Sequence, residues 1–336
     1  MRYQGIKVTV VTGFLGAGKT TLIRHLLSQS PPHERWAVLV NEFGDIGLDG
    51  AFYADLGVAI TEIPGGCVCC TTSAAFQKGL NQLIRQYNPD RIFIEPSGLG
   101  HPKQIIQKLR SATYQDVLLL TGTFCVLDAR NLKDTRYTQH DMFNDQISAA
   151  DGIVFSHLNC YDQEDFESIK AHFGDLNSAA SSPELYLSDP MKLSVDSLDI
   201  GLNEILNITP TLLTSPHHVT HQHLHSDAKV NKTDEPWSYH KQQGEMQVIG
   251  WSWPNVISLD QAKVTEIIAP LSKLDGVYRV KGVIRIDATE ALFVNIAKGD
   301  IVITRSIWKD NSRLEIIGGM ETGWLESART AYAQLF

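Results

Sequence analysis

The chain has 336 residues, with 38 acidic against 29 basic side chains and a formal net charge of −9. That balance argues against a nucleic-acid footprint, and no basic stripe offsets it. No apolar run reaches membrane-spanning length, and the five cysteines do not form a secreted disulfide framework. The expectation is a cytoplasmic protein with reduced thiols, of a length that fits one large or two moderate domains.

The elements begin with a β-branched run, Val8 to Val11, that reads as a buried strand. Gly13-Phe14-Leu15-Gly16-Ala17-Gly18-Lys19-Thr20-Thr21 follows and opens a helix through Leu22, Ile23, Leu26 and Leu27. Gly13-x4-Gly18-Lys19-Thr20 is a P-loop. Its amides and the helix N-terminus favour phosphates. Gly13, Gly16, Ala17, Gly18, Lys19, Thr20 and Thr21 are the candidate nucleotide-binding residues. Lys19 would reach the β/γ-phosphates, and the Thr20 hydroxyl would hold Mg2+.

After Pro31-Pro32, Trp36 to Val40 reads as a second strand. It runs into Asn41-Glu42-Phe43-Gly44-Asp45-Ile46-Gly47, where a γ-phosphate-sensing loop would sit. Glu42 is a candidate metal ligand there and Asp45 a candidate catalytic carboxylate; two solvated loop carboxylates are an equal reading. Val58 to Ile63 is a third strand, ending in Pro64-Gly65-Gly66-Cys67-Val68-Cys69-Cys70. Thiolates suit Zn2+ or Cu(I) over Mg2+, and Cys67, Cys69 and Cys70 would leave one position open for transfer. The plainer reading is three small buried side chains.

Ala74 to Tyr87 reads as a helix, with Phe76, Leu80, Leu83, Ile84 and Tyr87 on one side. Arg91 to Ile94 is a strand ending at Glu95, the preferred candidate for ordering Mg2+ or the attacking water. Asp128, after the strand Thr123 to Leu127, competes for that role. Gly152 to Phe155 is a further strand. Strands alternating with helices, with polar residues at their C-terminal ends, predict an α/β fold: a doubly wound, mostly parallel P-loop NTPase sheet over residues 1–205.

Residues 206–245 read as a His-rich linker or loop. His221, His223 and His225 alternate, so an extended backbone would put them on one face as loose metal ligands; a solvated loop is an even alternative. Residues 246–336 then predict a smaller α+β C-terminal domain. Its strands are Met246 to Trp253, Tyr278 to Ile286, Ala291 to Ile296, Ile301 to Ile307 and Arg313 to Ile317. Its helices are Leu259 to Leu274 and Glu321 to Leu335. Trp251 and Trp253 are expected to dock a client or a second copy, or else to belong to a structural cap.

The P-loop, the Val40-to-Gly47 stretch, Gly65-Gly66-Cys67-Val68-Cys69-Cys70 and Glu95-Pro96-Ser97-Gly98-Leu99 together resemble the CobW-like metal-trafficking P-loop GTPases, and most of all their zinc-binding members. The likeness spans nearly the whole chain, and Arg279-Val280-Lys281-Gly282 looks like the C-terminal domain of that family. The resemblance implies GTP hydrolysis with Mg2+, Zn2+ on Cys67, Cys69 and Cys70, and delivery to a client metalloprotein, with a homo-oligomer possible. One departure stands out. Such GTPases read guanine with Asn-Lys-x-Asp after a strand, whereas here Ser156-His157-Leu158-Asn159 follows Phe155. Asn159, in the aspartate's place, remains the candidate base contact. A shifted register, Asn159-Cys160-Tyr161-Asp162, keeps the ends of the motif. Asn231-Lys232-Thr233-Asp234 spells it but has no strand before it. Two other readings are an ATP-using P-loop kinase or ligase, and a metal buffer with a degenerate nucleotide site.

Overall fold

A computed structural model describes residues 3–42, 48–64, 72–174, 183–200, 236–243, 245–254, 259–320 and 323–335. Seven strands form the first sheet: β1 (Ile6–Thr12), β2 (Trp36–Glu42), β3 (Ala59–Pro64), β4 (Arg91–Glu95), β5 (Leu118–Leu127), β6 (Gly152–Phe155) and β7 (Glu184–Tyr186). Their spatial order is β3-β2-β4-β1-β5-β6-β7, and every pairing is parallel. Parallel neighbours need crossovers, and the crossover helices bury both faces. This explains why β2 and β4 carry unbroken apolar runs, Trp36 to Val40 and Ile92 to Ile94, rather than alternating ones. Helix α1 (Lys19–Leu27) covers one face, packing Leu22, Ile23 and Leu26 on Val11, Val38 and Phe93. Helices α3 (Thr72–Tyr87) and α4 (Pro102–Leu109) cover the other, with Phe76, Leu80 and Leu83 against Val8, Val10 and Ile92. Tyr87, expected on the buried side of α3, is 38% exposed. The remaining helices of this unit are α2 (Leu48–Ala51), α5 (Thr135–Thr138), α6 (Asp141–Ser148) and α7 (Gln163–Phe173).

The second sheet is antiparallel. It comprises β8 (Trp237–Gln243), β9 (Met246–Trp253), β10 (Val277–Arg285), β11 (Glu290–Ala297), β12 (Asp300–Ile307) and β13 (Ser312–Gly319), ordered β12-β11-β10-β13-β9-β8. It starts at Trp237, before the expected boundary at 246, because β8 is a polar edge strand whose Ser238, His240 and Gln242 face solvent or its margin. One face packs on α8 (Gln261–Ile268) and α9 (Gly323–Ala333) around Trp253, Val280, Ile316 and Trp324. The helix expected to Leu274 becomes a tighter 3-10 turn at Ala269–Lys273, which contains Pro270, a residue with no N–H to continue an α-helix.

Trp251 and Trp253 are not docking residues. They are 6% and 0% exposed, and Trp251 stacks on Tyr332 at 4.7 Å between ring centroids. Alternation along β9 sends both indoles to the helix-covered face. The opposite face of this sheet meets the first unit. Phe14 and Leu15 share a buried cluster with Met246, Val248 and Ile317, and Leu48 and Ala51 share another with Val283 and Phe293.

Candidate functional site

The P-loop closes between β1 and α1 because its glycines accept what other residues resist. Gly13 has φ +136°, and a Cβ there would lie 2.4 Å from the Val126 carbonyl oxygen. Gly18, at φ +99°, is the N-cap of α1 and brings no side chain to the first turn. The first amides of α1 therefore lack a capping side chain, the condition in which a helix N-terminus favours an anion. Lys19 opens the helix but is only 5% exposed. Its Nζ folds back and donates to the carbonyls of Gly13 (2.9 Å) and Phe14 (3.3 Å). Burial brings the ammonium down to about 8; Glu95 opposes that shift and Arg279 adds to it.

Glu95 ends β4 next to the P-loop strand and is 2% exposed. It accepts hydrogen bonds from the Thr20 hydroxyl (3.0 Å) and the Tyr53 phenol (2.5 Å). Burial and the adjacent carboxylate hold the Tyr53 phenol well above its usual range, so Tyr53 stays a donor. A hydroxyl beside a buried carboxylate is the all-oxygen donor chemistry that suits a hard cation such as Mg2+. Asp128, the competing carboxylate, is turned away. It caps the following turn and binds the Arg130 guanidinium at 2.7 Å.

Behind the loop, Gln146 on α6 ties three segments together. Its Oε1 accepts from the Thr12 hydroxyl and from the Gly13 amide (2.9 Å), while its Nε2 donates to the Gly100 carbonyl (2.8 Å). On the other side, β6 abuts the loop: a Cβ on Gly18 would lie 3.7 Å from Ser156 Cβ. Ser156 is buried, and His157 takes a left-handed φ of +56°. Asn159 is exposed in the 3-10 turn Leu158–Cys160. Asp162 caps α7 in a reciprocal capping box with Asp165, so in the shifted register one of its carboxylate oxygens already accepts from the Asp165 amide.

Residues 7–182 match the family described as CobW/HypB/UreG, nucleotide-binding domain. The zinc chaperone YeiR of Escherichia coli K12 is 38% identical over 326 residues, covering 96% of each chain. The chain belongs to the CobW family. The zinc chaperone CobW of Pseudomonas aeruginosa is 32% identical over 211 residues, 53% of this chain and 56% of its own. The structure of Zn(II)-bound YjiA GTPase from E. coli aligns over the whole of both chains at 22% identity with a TM-score of 0.42.

In this CobW-family chain, Gly13, Gly16, Ala17, Gly18, Lys19, Thr20 and Thr21 form one loop-helix unit, and Glu95 is hydrogen-bonded to it. Asn159 is on the turn after β6, not in that unit. Glu42 ends β2, and its side chain is not among those described. Asp45, Cys67, Cys69, Cys70, His221, His223 and His225 lie outside the described residues. Among the described residues, no three His, Cys, Asp or Glu side chains are grouped to hold a metal, and no helix is long and apolar enough to cross a membrane. Tyr53 and Gln146 were not anticipated. Gln146 left one trace: it shares the buried side of α6 with Phe143, an unusual place for a glutamine.

Proposed function

We propose that this chain is a zinc-binding GTPase that couples GTP hydrolysis to holding Zn2+ and handing it to a client metalloprotein. The observation that carries the proposal is a junction of strand ends. Val40 on β2 is in register with Glu95 on one side and Glu62 on the other, and Glu42 is in register with Pro64. The Phe43-to-Gly47 stretch and the Cys67-to-Cys70 stretch therefore leave from adjacent ends of β2 and β3. β2 is the strand next to Glu95, the carboxylate that touches Thr20, and β3 lies one strand further out. Such a junction lets a change at the phosphates bear on a thiolate site without a long relay.

The chain's own groups divide the work. Lys19 would leave the Gly13 and Phe14 carbonyls for the β/γ-phosphates. Thr20 and Glu95 would hold Mg2+, which supplies charge neutralisation at the phosphates. Tyr53 fixes the second oxygen of Glu95. The γ-phosphate would draw in the loop bearing Asp45, altering the thiolate set of Cys67, Cys69 and Cys70. A full swing from 1:99 to 99:1 requires about 5.5 kcal/mol of differential binding. A structural zinc site is worth about 10–16 kcal/mol, so partial loosening suffices. The proposed partners are a client metalloprotein or a second copy of the chain.

A hydrolysis assay with GTP and with ATP, with and without Zn2+, tests the reading. It expects turnover of GTP that Zn2+ modulates, with the modulation abolished in Cys67→Ser. Preferred turnover of ATP, or tight Zn2+ binding with negligible turnover of either nucleotide, would contradict it.

A further inference from the structure

The second sheet contributes to the phosphate end of the first unit. Ala297, at the end of β11, sits against Gly16: a Cβ on Gly16 would fall 2.2 Å from the Ala297 Cβ. Arg279 on β10 is the register partner of Ala297. Directly paired residues project to the same face of a sheet, so Arg279 leaves the sheet on the side that touches the P-loop. Two independent features fix that side. Lys281, two residues on, lines with Thr20 and Thr21 a cavity of about 410 Å³ between the sheet and α1. Val280 and Ile284 point the other way, into the core with α8 and α9.

The strand pair is also anchored. Lys298 donates to the Asn131 side chain at 2.7 Å, and Asp300 binds Arg130 at 2.5 Å, the same guanidinium that Asp128 holds. A bulge in β10 between Val277 and Arg279 brings Tyr278 against Phe14 of the P-loop, with 6.1 Å between ring centroids.

We propose that Arg279 is a cis-acting arginine that contacts the terminal phosphate of bound GTP and stabilises the charge that develops on hydrolysis. This rests on the GTPase reading and deepens it. In the step, the water oxygen bonds to the γ-phosphorus and the bond from that phosphorus to the β–γ bridging oxygen breaks. GDP leaves with the bridging electron pair, and the proton of the attacking water goes to solvent as inorganic phosphate forms. The guanidinium neutralises charge on the phosphoryl and bridging oxygens, and hydrolysis then depends on the second sheet being seated.

The test compares Arg279→Ala and Arg279→Lys with the unaltered full chain. The readouts are GTP turnover, GDP affinity, and formation of the GDP–aluminium fluoride complex, which mimics the transferring phosphoryl group. An arginine in this role is worth about 10³-fold or more in kcat. Arg279→Ala should lose that factor and the fluoride complex, keep GDP affinity within about threefold, and recover turnover when free guanidinium is added. Arg279→Lys should fall between. If Arg279→Ala fails to fold, a full rate in a folded Arg279→Lys would overturn the proposal. So would wild-type turnover in Arg279→Ala, or a loss of GDP affinity as large as the loss of rate. Absence of GTP turnover in the unaltered chain would instead contradict the GTPase reading beneath it.

Discussion

Lys19 makes nucleotide binding a proton-coupled event just above neutral pH. Burial pushes its ammonium down to about 8. Phosphate oxygens would restore the charged form, so binding at higher pH must take up a proton. If only the ammonium binds, affinity scales as the protonated fraction: about 10% is neutral at pH 7 and about 90% at pH 9, a roughly tenfold loss. The same burial sets the sign of the stability effect. The folded value lies below the unfolded 10.5, so the cost, about 3 kcal/mol, applies in full below pH 8 and disappears as pH rises through 10.5. Lys19→Met should therefore raise nucleotide-free stability at pH 7 while removing nucleotide affinity. The assay is calorimetric GDP binding at pH 8.5 in two buffers of different ionisation enthalpy. About 0.8 proton per GDP should be taken up there. Equal heats in both buffers, with a flat affinity from pH 7 to 9, would refute the placement of Lys19.

Three further outcomes are expected. Glu95→Gln removes the charge that accepts from Thr20 and Tyr53; half-saturation by Mg2+ should rise about 10- to 100-fold with GDP binding in EDTA unchanged, and an unaltered Mg2+ titration would speak against Glu95. Gly16→Ala places a methyl on Ala297 at a φ of +74°; thermal melts should show a loss of about 2 kcal/mol or more, partly recovered by Ala297→Gly, and independent effects of the two would deny the contact. Asn159→Asp restores a carboxylate after β6; competition binding should show GTP-over-ATP preference rising about 10- to 100-fold, and an unchanged preference would mean the base is read elsewhere.

The P-loop was legible because it is local: strand, glycines, lysine and helix are contiguous, and each residue type carries its own conformational reason. Glu95 and Asp128 were not separable in sequence, since both follow buried strands. What separates them is partnership, Thr20 for one and Arg130 for the other. Tyr53 and Gln146 act across long sequence separations with no periodic signature. Strand β8 escaped notice because an edge strand carries polar residues where an inner strand cannot. Trp251 and Trp253 fit a docking surface or a structural cap equally well in sequence, because alternation along β9 does not say which face the helices cover. Nothing in the sequence showed that the second sheet covers the P-loop, because that depends on how two faces meet.

The claim on which the account stands is that the phosphate site and the thiolate site communicate. Zn2+ should be titrated into the full chain loaded with GDP and with a non-hydrolysable GTP analogue, using a competing chelator. The account predicts affinities differing by about tenfold or more, a difference that vanishes in Cys67→Ser. Identical Zn2+ affinities in the two nucleotide states would contradict it.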